Sequence, residues 1–466
     1  MRATTGIFLG TTLACAAALA LIGERDARAC GGCFQPPPPP TETESVITDH
    51  RMVLSVTAQH TTLYDQIRFQ GNPSEFAWVL PINGEATVGL SADSLFATLD
   101  VMTTTTVVAP ATGCPANSNN CRTASAFAAA GGDESNGGVS IIKQEVVGPY
   151  QTVQLASSNP TALNDWLAQN GYTVAPDVAP IISAYVNAHY DFLALKLKPG
   201  ANVQSMRPVR VTTAGGSPVL PLRMVAAGTG PKVGITLWVV AEGRYEAQNF
   251  PNFAIKSEDV AWDWASSTSN FTKLRADKSA DGKSWETESS MSFAAQTIMS
   301  AVQYGYYGGY NGGFNGGGAG PAASNDYAPV TDANGNVTKS ADEVRTEDLA
   351  VLVDQIATPR VTRLRADLAH AALAADLVLR PATDAAELSN VRNATQEVGQ
   401  PQCPIFDGCT QAGTAPRDVA IARTKTTASA FACAVGDAAP GGGAPLTLVA
   451  LAGFLGLALF RARRRA

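Results

Sequence analysis

Tyr190-Asp191-Phe192-Leu193-Ala194-Leu195-Lys196-Leu197-Lys198 reads as a strand, and three more follow in close order, Pro208 to Thr213, Val219 to Ala226 and Gly234 to Ala241. Short apolar runs separated by turn residues are the pattern of strands rather than helices. Pro221 inside the third run marks an edge strand or a bulge, because proline cannot donate to a ladder. Asn252 to Lys256 adds one more strand.

Upstream, Val46 to Thr57 and Thr62 to Gln70 form a strand pair, and Glu75 to Pro81 a buried strand. Ser91-Ala92-Asp93-Ser94 opens a helix over Ser94 to Val101, with Leu95, Phe96 and Leu99 on one face. Val139 to Leu155 is strand-like. Asn159-Pro160 starts a helix that runs through Gln169 and is closed by Asn170-Gly171, and Val178 to His189 is a second. Downstream, Glu258 to Lys273 is expected to be helical around Trp262 and Trp264, and Arg345 to Ala357 amphipathic and ended by Pro359.

The fold class is therefore α+β: a mixed, strand-rich ectodomain with a few packed helices and long Gly-rich loops, as 42 Gly and 28 Pro favour. Pro110 to Gly138 is a surface insertion, and Tyr304 to Gly320 has too much glycine to order without a large loss of backbone entropy. The tyrosines of that tract also suit stacking on sugars or self-association. The expected organisation is a signal peptide at 1–29, a Cys/Pro-rich segment at 30–43, a main α+β domain at 44–256, a second region at 257–430 and a C-terminal tail at 431–466.

The two ends agree on a topology. Arg2, the apolar run Ile7 to Ile22 and Ala27-Arg28-Ala29 make a secretory signal cleaved after Ala29, so the mature chain begins at Cys30. A lipoprotein would carry its lipid on Cys30 or Cys15, but neither follows a Leu-small-small pattern. At the other end, Cys433 precedes a spacer from Gly436 to Pro445, an apolar segment from Leu446 to Phe460, and Arg461, Arg463, Arg464 and Arg465. The apolar segment would span about 22 Å as a helix, against a bilayer core near ~30 Å. Its basic end falls on the cytoplasmic side, as the positive-inside rule requires.

This order of features resembles the myxobacterial-type C-terminal sorting tails. The resemblance implies removal by a sorting protease and attachment to the membrane through a lipid on Cys433; an ordinary short tail anchor packed through Gly453 and Gly456 is the alternative. Either way the chain is expected at the cell envelope, on the outer membrane or cell surface. With 16% charged residues and a net charge of -7, no basic field exists for nucleic acid.

Of eight cysteines, Cys15 belongs to the signal and Cys433 to the tail. The remaining six fall as Cys30/Cys33, Cys114/Cys121 and Cys403/Cys409, which in an exported chain reads as three local disulfides inferred from proximity. A redox role for Cys30-Gly31-Gly32-Cys33 needs a helix start beside it, and Pro36 to Pro40 prevent one. A four-thiolate zinc site lacks a neighbouring second pair.

No catalytic, cofactor or metal residue is assigned. His50, His60, His189 and His370 stand in no HExxH or HxH pattern, and no Gly-x-Ser-x-Gly elbow, P-loop or dinucleotide fingerprint occurs. His50 or His189 would still complete a triad if the fold brought a Ser or Cys to it. Asp332-Ala333-Asn334-Gly335-Asn336-Val337-Thr338 with Glu343 spaces oxygens like a calcium loop, but Val337 replaces the required glycine, and an Asn-Gly turn explains it more simply.

Phe76-Ala77-Trp78-Val79-Leu80-Pro81, Val147-Gly148-Pro149-Tyr150, Trp166-Leu167 to Gly171-Tyr172, Val219-Leu220-Pro221-Leu222-Arg223 and Thr236-Leu237-Trp238-Val239 stand in the order seen in the DUF2330 family of secreted bacterial proteins. The chain resembles that family over roughly residues 30 to 380, including Arg363-Leu364-Arg365 and Asp376-Leu377-Val378-Leu379. The resemblance implies no chemistry. The expected function is a non-catalytic structural or binding component of the envelope, with an envelope hydrolase of dispersed active site as the alternative.

Overall fold

The computed structural model describes residues 33–34, 46–70, 77–115, 146–155, 162–169, 171–172, 174, 178–198, 206–226, 229–305, 326–331, 336–407 and 410–424. They fall into two compact units, one within 1–110 and 128–398, the other within 111–127 and 399–466. The signal, the Pro36 to Pro40 spacer, Cys30, Cys121, Cys409, most of the Gly/Tyr tract, Asp332 to Gly335 and the tail with Cys433 lie outside the described residues. Among the described residues no helix is long and apolar enough to cross a membrane.

The larger unit is built on thirteen principal strands. They are β1 (Cys33–Phe34), β2 (Val46–Val56), β3 (His60–Gln70), β4 (Ala77–Ile82), β5 (Ala86–Leu90), β6 (Val146–Val147) and β7 (Tyr150–Leu155). Then come β8 (Asp191–Leu197), β9 (Val209–Ala214), β10 (Thr229–Ala241), β11 (Asn252–Phe253), β12 (Trp285–Ser292) and β13 (Arg360–Ala369). Its main helices are α1 (Asp93–Thr103), α2 (Ala162–Gln169), α3 (Ala179–Asn187), α4 (Ala295–Tyr304) and α5 (Ala341–Val353).

Eight strands make one sheet in the order β11-β12-β13-β10-β2-β3-β9-β5, and five make a second in the order β1-β4-β8-β7-β6. All pairings in both are antiparallel except β10 with β2 and β11 with β12. Side chains alternate between the faces of a strand, and β10 uses both: Val233, Ile235, Leu237 and Val239 join one core, Trp238 and Val240 another.

The first core lies between the sheets, where Met52, Leu54 and Leu237 meet Trp78, Leu80, Leu193 and Leu195. The second covers the outer face of the large sheet, where Val53, Tyr64 and Trp238 pack under α1, α4 and α5 through Phe96, Ile298 and Leu352. The third covers the small sheet, where Val79 and Phe192 pack under α2 and α3 through Leu167 and Ile182. The unit is thus four layers, helix, sheet, sheet, helix, and each fully buried large apolar side chain contributes about 1.5–3 kcal/mol of transfer free energy.

The strand reading of Val139 to Leu155 resolves into a tight hairpin of β6 and β7, with 139–145 outside the described residues. The turn needs a glycine: Gly148 has φ 58°, and a Cβ there would lie 2.4 Å from Leu90 Cδ1. Elsewhere the structure corrects the sequence reading. Val219 to Ala226 is a two-residue strand followed at Pro221 by the single helical turn Leu222–Val225, since proline both ends the ladder and suits a helix start. Glu258 to Lys273 is not a helix around its tryptophans. Ala261–Asp263 pairs with both Thr268–Ser269 and Gln396–Val398, and the helix is Phe271–Lys278. The expected boundary after Lys256 cuts through one sheet, because β13 pairs onto β10 and β12 onto β13.

In the smaller unit Cys114 is bonded to Cys403, with Cα atoms 5.3 Å apart and 289 residues between them in sequence. This replaces the expected pairs Cys114/Cys121 and Cys403/Cys409. Gln402–Asp407 is extended and hairpins onto Thr410–Pro416. That register sets Cys403 opposite Ala415. Arg417 Nη1 donates to the Thr112 carbonyl at 3.3 Å.

Candidate functional site

Three buried polar clusters interrupt the cores of the larger unit. The first is a chain of alternating charges on the helix-covered face of the large sheet. Arg51 pairs with Asp100, Asp100 with Arg363 at 2.6 Å, Arg363 with Glu288, Glu288 with Arg275, and Arg275 with Glu286 at 2.6 Å. The guanidinium carbons of Arg363 and Arg51 lie 5.0 and 5.4 Å from the Trp238 ring centroid, while Trp238 Nε1 donates to Thr103 Oγ1 at 2.8 Å. Burial raises the Glu286 carboxyl, Arg275 opposes it, and Glu288 adds to it. Glu286 and Glu288 are two close carboxylates, but both are committed to arginines.

The second cluster centres on Asp348, which is fully buried on α5. Its carboxylate accepts from Ser91 Oγ at 2.6 Å, Tyr327 Oη at 2.9 Å and Arg210 Nη1 at 3.1 Å. Tyr64 Oη donates to the Asp348 carbonyl at 3.0 Å. Burial pushes the Asp348 carboxyl up to about 6 against the pull of Arg210 and these donors. The same burial and Asp348 raise both phenols, so Tyr64 and Tyr327 act as donors.

The third cluster lies between the sheets. Register pairs Met52 with Asp65 and His50 with Ile67, so His50 and Asp65 are diagonal neighbours on the interlayer face. His50 Nδ1 is 3.2 Å from both oxygens of Asp65, and His50 is 1% exposed. His50 Nε2 has no hydrogen-bond partner among the described residues. Beside it is a cavity of about 20 Å³ lined by His50, Met52, Asp65, Trp78, Leu80 and Met224 among others, room for about one water. Asp65 and Trp78 also line a second cavity of about 20 Å³ that reaches Met206 and Arg207.

Met224 is carried by the turn Leu222–Val225, which is clamped from outside. Arg223 Nη2 and Nε donate to Asp376 Oδ2 at 2.6 and 2.9 Å, its backbone N to Oδ1 at 3.0 Å, and its guanidinium lies 4.3 Å from the Tyr185 ring centroid. The cavity wall is thereby fixed from β2, β3, β4 and this turn.

The other histidines are placed elsewhere. His189 is exposed in left-handed conformation at φ 60°, ending α3. His60 pairs with Asp354 at 3.4 Å, and His370 Nε2 contacts the Ala226 carbonyl at 3.1 Å. Glu343, the last position of the calcium spacing, closes a capping box with Ser340, and Val330–Thr331 hairpins onto Val337–Lys339 around the Asn-Gly segment. Among the described residues no group of three or more His, Cys, Asp or Glu gathers as a metal site.

The sequence model of a family described as an uncharacterized protein conserved in bacteria, DUF2330, matches residues 26–304. The chain belongs to the DUF2330 family. Neither a curated protein nor a solved structure matches it. The DUF2330 match spans β1 to β12 and ends with the last residue of α4, so His50, Asp65, Trp78 and Met224 all lie inside it. Arg363-Leu364-Arg365 and Asp376 to Leu379, part of the resemblance read from sequence, lie beyond the DUF2330 match, although β13 sits in the middle of the large sheet.

In chemical terms the His50–Asp65 pair is an imidazole with one nitrogen held by a carboxylate and the other buried without a partner among the described residues, on a residue that lines a cavity. That arrangement serves a general base or a metal ligand with an outer-shell carboxylate. No Ser, Thr or Cys is among the described residues lining the cavity. His50 was singled out in the sequence as a residue awaiting a partner; Asp65, Met52 and Met224 were not.

Proposed function

We propose that this DUF2330 chain is an exported, surface-anchored envelope protein with a non-catalytic structural or binding role, held through its processed C-terminus at Cys433. The observation that carries the reading is the commitment of the buried ionisable groups to one another: Glu286 and Glu288 to arginines, Asp348 to Arg210, Asp65 to His50. Such groups cross-link layers instead of facing a substrate. The Ala27-Arg28-Ala29 site and the order of spacer, apolar segment and arginines after Cys433 support export and anchoring. Intact-mass analysis of protein from its native membrane tests the attachment: a chain starting at Cys30 and ending near a lipidated Cys433 is expected. A mass that includes residues 434–466 would refute processing.

A second reading, an envelope hydrolase, is favoured by one observation, the Asp65-oriented His50 whose Nε2 is unpartnered among the described residues and which lines the cavity. Peptide, ester and glycan substrates tested on the purified chain separate the two. Turnover at ordinary enzyme rates that disappears in His50→Gln would replace the non-catalytic reading.

A further inference from the structure

We infer that the interlayer cavity beside His50 is a binding site for one soft monovalent metal ion of the Cu(I) class, held by His50 Nε2 and the thioether sulfurs of Met52 and Met224. Four observations converge on it. His50 Nε2 is buried, without a hydrogen-bond partner among the described residues, and belongs to a residue lining the cavity. A buried polar atom left unmatched is unfavourable by about 1–3 kcal/mol, so the site favours a ligand for it. Two methionines are among the residues lining it, Met52 from the core between the sheets and Met224 from the core that covers the small sheet, and both are at most 2% exposed. Imidazole with thioethers selects Cu(I) over the hard cations, which need oxygen ligands.

The surroundings complete the chemistry. Asp65 holds Nδ1 of the same imidazole at 3.2 Å, the outer-shell carboxylate that fixes a metal-binding histidine in its ring orientation. Its negative charge matches a single positive one, so a monovalent ion neutralises the pocket where a divalent ion leaves a buried surplus. Trp78 supplies an aromatic wall that favours a cation. The cavity of about 20 Å³ admits one ion or one water and nothing larger. The clamp of Arg223 on Asp376 then has a purpose beyond packing, since it sets the turn that delivers Met224.

This inference rests on the cavity and goes beyond the envelope role; it stands or falls separately from the processing of the tail. The test uses the purified full chain with accessible thiols alkylated, titrated with Ag(I) as a redox-stable probe and with Cu(I) in competition with a chromogenic chelator. One equivalent bound, with quenching of tryptophan emission, is expected. The double variant Met52→Leu with Met224→Leu keeps side-chain volume and is expected to weaken that equivalent at least 100-fold, with the unfolding midpoint of the metal-free protein held within a few degrees. X-ray absorption of the Ag(I) or Cu(I) form should show nitrogen and sulfur neighbours together, a readout that needs no variant to fold. Absence of binding, unchanged affinity in the double variant, or a shell of sulfur alone would each overturn the assignment and leave a water in the cavity.

Discussion

Asp348 shows what burial does to a single carboxyl. Its ordinary value is 3.8, and desolvation raises it to about 6 although Arg210 and two hydroxyls stabilise the charge. The folded state then binds the proton more tightly than the unfolded one. Stability from this group is fully present below about pH 4 and is lost as pH rises through about 6. Urea unfolding from pH 4 to 7 should show that decline, and Asp348→Asn should flatten it; an equally steep variant would place the slope in Glu286 or another acid. Arg363 gives the complementary case, because it is nearly buried between Asp100 and Glu288. Arg363→Met removes one of the two arginines from each carboxylate, leaving Arg51 on Asp100 and Arg275 on Glu288, and a loss of about 1–3 kcal/mol in equilibrium unfolding is expected. Neither group announces itself in the sequence. Trp285-Glu286-Thr287-Glu288-Ser289-Ser290 is wholly buried yet polar at five of six positions, so hydrophobic patterning passes over it. His50 was visible as a residue type, and Asp65 was recoverable only through the register that sets it opposite Met52.

At the level of elements, strands such as β2, β3, β4, β8, β9 and β10 were legible because their apolar residues face two covered sides, whereas β5, β12 and β13 were not read as strands. Ala77-Trp78-Val79-Leu80-Pro81-Ile82 is buried at every position and reads as an unbroken apolar run, and β10 alternates between two cores. The misread segment around Trp262 and Trp264 failed for the opposite reason: both rings pack at an edge, 6.3 Å apart, on a strand of three residues too short to show a period. Helix α5 was found a few residues late, because its start is fixed by Ser340 and Glu343 rather than by the apolar stripe. Ser340→Ala should lower stability by about 1 kcal/mol, and Ser340→Asp should restore it in the same unfolding assay. Gly89 constrains β5 in a similar way, since a Cβ there would lie 2.6 Å from the Arg210 guanidinium. Gly89→Val should displace Arg210 from Asp348 and cost about 1–3 kcal/mol, with a pH dependence shifted along with it.

Across the whole molecule, the four-layer unit and the disulfide-bonded unit are two compact units, and they are expected to unfold separately and to respond differently to reductant. Cys403→Ser is expected to destabilise the smaller unit by about 2–5 kcal/mol and to leave the midpoint of the larger one in place, as calorimetry would show by movement of one transition only. The bond also has a mechanical meaning. It joins positions 289 residues apart, so tension applied between the ends of the chain crosses from Cys114 to Cys403 and bypasses everything in between. The backbone of strands β6 to β13 and of four of the five main helices lies inside that shunt and cannot be drawn out while the bond is intact. In a single-molecule pulling experiment, reduction should release about 100 nm of additional contour length, slack that the oxidised protein never yields.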